Sequence, residues 1–406
     1  MKIAIITVGE LPVPNIKGGG AETLVTQILD ENEKVGKIEF VVYSIENEEA
    51  ESRARSYKKT KFIFLPERKN SIVQRAKRKY IKITTGFHIP LERFSYDKII
   101  DNIKKENVDY VLIENTMVPF YEYVKVFGKK VLIHTHWDYI NNQIPEKILK
   151  EYRHAAVECG GIITVSEYIK NRILTVDEIK KEKVHVLKNC TNIEQFGVQI
   201  DEIKRCELRK EYDINNEDVL FIFTGRISQE KGVIQLVKAY KKLKERQGTK
   251  LVIVGSAQTS NTIVDEYTKK VYEEIEEIRD DVIFTGYIDH DKMPYIYKMA
   301  DVAILPSTGQ DPAPLTIFEA MASGLPIITT YSGGIPEYVT EQCAIVNYID
   351  SNLVNGLTKS MDELAKNKNK RIKMGNASLE RSKEFSTEKY YSDFVEIMDN
   401  IQKQKD

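Results

Sequence analysis

Three stretches of this chain carry residue types suited to a phosphorylated, hydroxyl-rich ligand. The first is DPAPLTIFEAMASG, residues 311–324. Pro312 and Pro314 forbid continuous helix from Asp311 onward, so DPAP reads as a loop. Pro314 suits the first helical position, with helix running through LTIFEAMAS to Gly324. The amides of Leu315, Thr316 and Ile317 would then lack helical partners and face whatever lies above a strand end. The second stretch is TGRISQEKG, residues 224–232. Arg226 grips phosphate bidentately and Lys231 acts as a mobile point charge, so the two would flank a diphosphate. The third is GGGAE, residues 18–22, where Gly18, Gly19 and Gly20 precede a helix expected to begin near Ala21. Glycines let backbone N–H groups approach a ligand, and the helix N-terminus adds positive potential.

Asp311 and Glu319 complete the pattern. A carboxylate would be repelled by a diphosphate but accepts hydrogen bonds from a vicinal diol with both oxygens. Acids on either side of free amides therefore fit hydroxyls at each end of a ligand and phosphates between, which is the layout of a nucleotide sugar. His134 and His136, in HTHWDY, share parity and would face one side of a strand. A metal pair lacks a third ligand of convincing spacing. The chemistry favoured is a histidine bonding a substrate hydroxyl, with one of the two free to be a core residue.

The elements that must hold these residues alternate. Short β-branched runs at 2–8, 39–44, 62–66, 110–114, 130–136, 161–166 and 184–189 are separated by amphipathic segments such as 21–35, 91–106 and 145–158. After a polar stretch at 201–217 the pattern resets, with runs at 219–225, 250–255, 282–286, 302–307, 326–330 and 344–348, then helical segments at 369–384 and 387–404. Continuous apolar strands between helices indicate parallel sheets covered on both faces. The expectation is α/β, two Rossmann-like doubly wound domains: 1–200 with a C-terminal helix 387–406, and 201–386. In such sheets ligands sit at the carboxyl ends of the strands, where all the stretches above fall.

Length agrees, since chains beyond ~250–300 residues usually split into domains. With 42% hydrophobic and 30% charged residues and a formal net charge of -1, composition argues for a water-soluble protein and against a nucleic-acid partner. Cys159, Cys190, Cys206 and Cys343 form no CxxC pair and read as reduced, in a cytoplasmic setting. The start, MKIAIITVGEL, reads as a first strand rather than a signal segment, and no run reaches the ~18–20 apolar residues of a membrane span. One region is locally basic: between Arg53 and Lys82 the one acid is Glu67. Its second half, with Arg75, Lys77, Arg78 and Lys79, carries an apolar stripe at helical spacing. That combination suits an anionic membrane surface, and equally a solvated face on a sheet.

Taken together these motifs resemble the retaining nucleotide-sugar glycosyltransferases of family 4, with the GT-B fold. The likeness spans nearly the whole chain. It rests on Asp311-PAPLTIF-Glu319-AMASGLP, GRISQEKG, GGGAE, Asn189 in KNCTN and YSGGIPEYV at 331–339. The family's first acid is Glu; here it is Asp311, one methylene shorter. The resemblance implies a metal-independent hexosyltransferase with no cofactor. It implies a C-terminal domain holding the nucleotide sugar, commonly UDP-linked, an N-terminal domain holding the acceptor, and a last helix returning to the first domain. It assigns Glu319 to the ribose diol, Arg226 and Lys231 to the diphosphate with Gly19 and Gly20 approaching it, and Asp311 to sugar hydroxyls assisted by amides near Leu315 and Thr316. The base would lie near Gly255 and Tyr287. The catalytic-pocket histidine maps better to His136 than to His134, both on the acceptor side. The basic segment then favours a lipid-linked acceptor in capsule, exopolysaccharide or cell-wall synthesis at the inner membrane face. Protein and soluble acceptors are the alternatives. A nicotinamide-dependent dehydrogenase is disfavoured by the missing GxGxxG. A non-catalytic GT-B partner would be expected to lose the cation pair or the acids.

Overall fold

In a computed structural model, residues 1–16, 18–68, 76, 79–80, 94–116, 120–140, 144–244, 246–255 and 266–404 are described. The chain divides into two units, one of residues 1–188 with 387–406 and one of residues 189–386.

The first unit is built on seven strands: β1 (Lys2–Ile6), β2 (Glu39–Ile45), β3 (Thr60–Leu65), β4 (Tyr110–Glu114), β5 (Val131–Thr135), β6 (Gly161–Thr164) and β7 (Val184–Val186). Every pairing is parallel, in the order β3-β2-β1-β4-β5-β6-β7. Strands such as β4 and β5 are buried along their whole length, as expected for runs of Val, Ile and Leu covered by helices on both faces. The direction of chain winding reverses between β1 and β4. The helix Thr387–Lys403 belongs to this unit and lies against the helix Gly20–Val35. Thr387 donates to Glu31 Oε1 at 2.9 Å and Tyr391 to Asn32 Oδ1 at 2.6 Å. Ile401 packs so close to β6 that a Cβ on Gly161 would sit 3.1 Å from its Cδ1.

The second unit repeats the plan with six parallel strands: β8 (Val219–Thr224), β9 (Thr249–Val254), β10 (Val282–Gly286), β11 (Val302–Leu305), β12 (Ile327–Thr330) and β13 (Ala344–Asn347). Their order is β10-β9-β8-β11-β12-β13, so winding reverses between β8 and β11. The entry to β8 is locked by a buried cation. Arg209 donates to Asp301 Oδ2 at 2.6 Å and to the carbonyls of Asn215, Asn216, Asp218 and Met299. The same Asp301 oxygen accepts the Leu220 amide at 2.8 Å. A guanidinium has five donors and no acceptor, so this cage satisfies a charge that would be costly to bury alone.

The strand runs read from sequence all form, with ends shifted by up to a few residues: β3 starts two residues early at Thr60, β2 runs on to Ile45, and others are shorter. β11 stops at Leu305 rather than at 307 because Pro306 has no N–H for the ladder. β5 starts at Val131 because Gly128–Lys130 forms a short 3-10 turn. The first unit ends after Lys188, ahead of the expected boundary at 200. All four cysteines are free thiols, and Cys159, Cys190 and Cys343 are buried.

Candidate functional site

In the second unit the loops after β8 and β11 flank the reversal of winding, the place where open parallel sheets bind ligands. These loops hold Arg226, Lys231 and Asp311, and the second leads into the helix that begins at Leu315 and Thr316. They are tied together by main chain: the amides of Thr308 and Gly309 both donate to the Glu230 carbonyl, at 2.8 and 2.9 Å. Lys231 Nζ lies 2.5 Å from Asp311 Oδ2, and Ser307 donates to the same oxygen at 3.2 Å. The expected diphosphate cation and the expected sugar acid therefore pair with each other. Arg226 is exposed and makes no ion pair or hydrogen bond with another described residue.

Asp311 is fixed through its backbone. Its amide donates to Ser332 Oγ at 3.1 Å, and its carbonyl accepts the Gly334 amide at 2.9 Å. Between these partners Gly333 has φ +50, and a Cβ there would lie 2.2 Å from the Asp311 carbonyl oxygen, so only glycine closes this turn. Asn189 Nδ2 donates to the Ala313 carbonyl at 2.9 Å and holds the far side of the same loop. Pro314 is not the first helical residue expected from sequence. It sits at the N-cap with extended backbone (φ -69, ψ 126), and the helix runs Leu315–Ala322. The Ile317 amide bonds the Pro314 carbonyl at 3.1 Å, so the expected trio of free amides reduces to Leu315 and Thr316.

Glu319 projects from this helix and is only 6% exposed. His290 Nε2 lies 2.9 Å from its Oε1, and the Tyr297 hydroxyl donates to its Oε2 at 3.0 Å. Tyr297 in turn shares a 2.7 Å hydrogen bond with Thr224, the last residue of β8. Thr224 stands two residues before Arg226, so this relay puts Glu319 and Arg226 at the same edge of the sheet. Burial works against a proton on His290, but the Glu319 carboxylate outweighs it and raises the imidazole pKa. Burial, reinforced by Glu319, drives the Tyr297 hydroxyl well above its ordinary value. An ionised carboxylate has about four acceptor positions, so two remain on Glu319 for hydroxyls of a ligand. Gly255 and Tyr287 follow β9 and β10 on the same edge. Gly255 has φ +133, and a Cβ there would lie 2.0 Å from the Gly225 carbonyl oxygen, so the two strand ends can close only over glycine.

The first unit's reversal point differs in chemistry. Gly19 is the N-cap of the helix Gly20–Val35, with φ 103; Gly20 is already helical. A Cβ on Gly19 would stand 2.6 Å from Glu22 Oε2, so a carboxyl group lies against the glycine loop. Burial pushes the Glu22 carboxyl up to about 7, helped by Glu10 and Glu114 and opposed by the amides of Glu22 itself and Leu11. Across the reversal, Glu114 ends β4 in register with His134 on β5. His134 Nδ1 lies 3.1 Å and His136 Nε2 3.3 Å from Glu114 Oε2. Burial works to raise the Glu114 carboxyl, but the two imidazoles bring it down to about 2. Burial, with His134 beside it, pushes His136 down to about 4 against the pull of Glu114. His134 and Glu114 are each 1% exposed and His136 is 11% exposed, so of the two histidines His136 is the one a ligand can reach.

Glu22, Glu114, His290 and Tyr297 were not among the sequence candidates. Glu114 had one legible signal, the end of a strand run; the others depend on contacts that spacing does not encode. Of the expected membrane patch, Arg75, Lys77 and Arg78 lie outside the described residues, while Lys79 is exposed. Among the described residues no helix is long and apolar enough to cross a membrane.

Residues 18–195 match the family model described as Glycosyltransferase Family 4, and residues 204–381 match the one described as Glycosyl transferases group 1. The uncharacterized glycosyltransferase MJ1607 of Methanocaldococcus jannaschii is 28% identical over 47% of this chain and 47% of its own length, so that match spans about half of the relative. The putative glycosyltransferase YtcC of Bacillus subtilis is 24% identical over 89% of this chain and 83% of its own. Among solved structures, Anabaena Alr3699/HepE in complex with UDP-glucose superposes with a TM-score of 0.75 and 16% identity, covering 98% of this chain and 99% of the other.

Proposed function

Because the chain belongs to the family 4 glycosyltransferases with the GT-B fold, we propose that it moves a hexose-type sugar from a nucleoside diphosphate sugar, UDP-linked, to an acceptor hydroxyl with retention of configuration. The observation that carries this reading is the gathering at one sheet edge of Arg226, exposed and without a partner among the described residues, the Lys231–Asp311 pair, the first amides of the Leu315–Ala322 helix and the buried Glu319. Backbone donors held at a helix start, with cations beside the path of the leaving group, stabilise charge that develops in a transition state.

In the step envisaged, the bond from the anomeric carbon to the diphosphate oxygen breaks. The acceptor oxygen bonds that carbon from the same face, and a phosphate oxygen takes the acceptor proton. Arg226 and Lys231 neutralise the departing diphosphate, the part divalent ions play in other transferases, so no metal is required there. Lys231 must exchange Asp311 for phosphate when the donor arrives. That exchange frees the Asp311 carboxylate for sugar hydroxyls, so one ion pair prepares both contacts. Glu319 receives the ribose diol on its remaining acceptor positions. The UDP-glucose complex of HepE supports the donor class. His136 faces the acceptor. The basic stretch from Arg53 supports a lipid-linked glycan acceptor on an anionic membrane face.

A thermal-shift panel of UDP-, GDP-, ADP- and dTDP-sugars in excess chelator tests the donor. At 100 times its dissociation constant the right nucleotide stabilises the protein by about 2.7 kcal/mol. Stabilisation by none of them overturns the donor assignment. Turnover abolished by chelator overturns metal independence, and an inverted anomeric signal in the product overturns retention.

A further inference from the structure

The carboxyl edge of the first sheet offers a large aromatic side chain to solvent. It is Trp137, the single tryptophan of the chain, 49% exposed and two residues past the end of β5, directly after His136. We propose that the Trp137 indole is a stacking platform for a pyranose ring of the acceptor, beside the hydroxyl that His136 receives. The inference rests on the acceptor role given above to the first unit and names the class of acceptor: a sugar that presents a ring face.

A single exposed aromatic is ordinary on a protein surface. What sets Trp137 apart is the loop that carries it. Residues 135–140 are clamped on every side. Thr135 Oγ1 donates to the Trp137 carbonyl at 3.0 Å, and the His136 amide donates to Asn115 Oδ1 at 3.0 Å. The Tyr139 hydroxyl donates to the Asn115 carbonyl at 2.8 Å, and its ring meets Tyr152 edge-on at 5.4 Å between centroids. Asp138 accepts from Arg172 Nε at 2.8 Å and from the Ile140 amide at 2.9 Å. The Trp137 side chain, by contrast, makes no hydrogen bond or ring contact with another described residue. The backbone is therefore fixed while the ring stays available. A half-exposed indole forgoes burial that its size would normally secure. Held on a clamped loop, it meets a ligand without the ordering cost that a mobile side chain would add.

The surroundings select a sugar. A pyranose has a face of C–H bonds and a rim of hydroxyls. The negative face of an aromatic ring attracts the slightly positive C–H groups, and the indole N–H can donate to a rim oxygen. Polar groups for the rim stand on either side in the chain: His136, 11% exposed, and Asp138, 15% exposed. Consecutive Cα atoms are ~3.8 Å apart, so a sugar over the indole lies within one ring's reach of the imidazole. A lipid tail would call for apolar neighbours, and the residues flanking Trp137 are a histidine and an aspartate.

Because Trp137 is the chain's one tryptophan, intrinsic fluorescence of the full-length protein reads this ring alone. Titration with a panel of hexose disaccharides and methyl hexosides should give a saturable change in emission with at least one of them. Calorimetry with the responding sugar should show binding weakened by about tenfold or more in Trp137→Ala and by less in Trp137→Phe, with circular dichroism unchanged. The thermal shift given by the nucleotide sugar should stay that of the wild type in both variants. No emission change across the panel overturns the proposal. So does equal sugar affinity in wild type and folded Trp137→Ala. An emission change produced by phosphatidylglycerol vesicles and by no sugar also overturns it, placing the indole at a membrane surface instead. Donor binding without a sugar response sinks this inference alone, whereas a sugar response in a protein that binds no nucleotide sugar sinks the donor assignment and spares the stacking site.

Discussion

The two winding reversals of this chain share a geometry and oppose each other in charge. Each lies between neighbouring parallel strands, and each has a loop leading into a helix. In the second unit the loops present an arginine with no partner among the described residues, a lysine and the first amides of a helix, and the acids are either ion-paired or hydrogen-bonded. In the first unit the glycine loop is backed by the Glu22 carboxyl, and the facing strand ends carry Glu114 among histidines. The glycine loop of the first unit thus has a carboxyl group against it, where the loops of the second unit carry cations. The protonation of Glu22 then sets how much positive potential the helix start offers to an anion.

That contrast can be broken most directly at Arg226. Arg226→Ala should lower kcat/KM by about 3 kcal/mol, on the order of a hundredfold, without altering the melting temperature. Steady-state kinetics with the donor identified by thermal shift would measure it. Near-normal turnover would remove the cationic half of the comparison.

Glu22 tests the other half. Burial raises its folded pKa to about 7, above the ordinary carboxylate value of 4.5, so the fold binds this proton more tightly than the unfolded chain does. The resulting stability is complete below 4.5 and is lost as pH rises through 7. By pH 8.5 the buried carboxylate should cost the wild type on the order of 3 kcal/mol. Glu22→Gln should therefore melt higher than the wild type at pH 8.5 and no higher at pH 4.5, by differential scanning calorimetry. A pH-independent difference would mean Glu22 is not the group held protonated.

Smaller effects sharpen the account of Glu319. Tyr297→Phe removes a donor to a buried carboxylate and should destabilise the protein by about 1.5–3 kcal/mol in urea titrations. Loss of less than half a kcal/mol would mean solvent already substitutes for the hydroxyl. His290→Ala should have the least effect, under about 1 kcal/mol, because the imidazole is partly exposed. The sign with pH is fixed: the folded His290 pKa is raised by Glu319, so the pair's contribution is present below the unfolded value and lost as pH rises through the folded one. The variant's deficit should accordingly be larger at pH 5.5 than at pH 9.

Much of this was legible in the sequence, and the limits are physical. Strands such as β4 and β8 announce themselves because a strand covered on both faces is a nearly continuous apolar run. Loops such as Asp311–Pro314 are punctuated by proline. Arg226 and Lys231 could be placed because they follow an unmistakable strand within a few residues. Glu114 escaped because its partner His134 is brought beside it by strand pairing, and one-dimensional spacing carries no register. His290 and Tyr297 escaped for a related reason: they reach Glu319 from a separate segment between β10 and β11. Pro314 was misplaced by one position because proline is compatible with both the cap and the first turn.

The return of the Thr387–Lys403 helix to the first unit has a consequence for synthesis on the ribosome. The Gly20–Val35 helix and β2 emerge early, but the surface that Tyr391, Phe394 and Ile401 cover stays bare until residues 189–386 have been translated. At ~5–20 residues per second that wait is on the order of ten to forty seconds. The earliest-made portion of the polypeptide is therefore the last to be completed, and a nascent chain stalled before residue 387 would carry an exposed apolar seam that chaperones recognise.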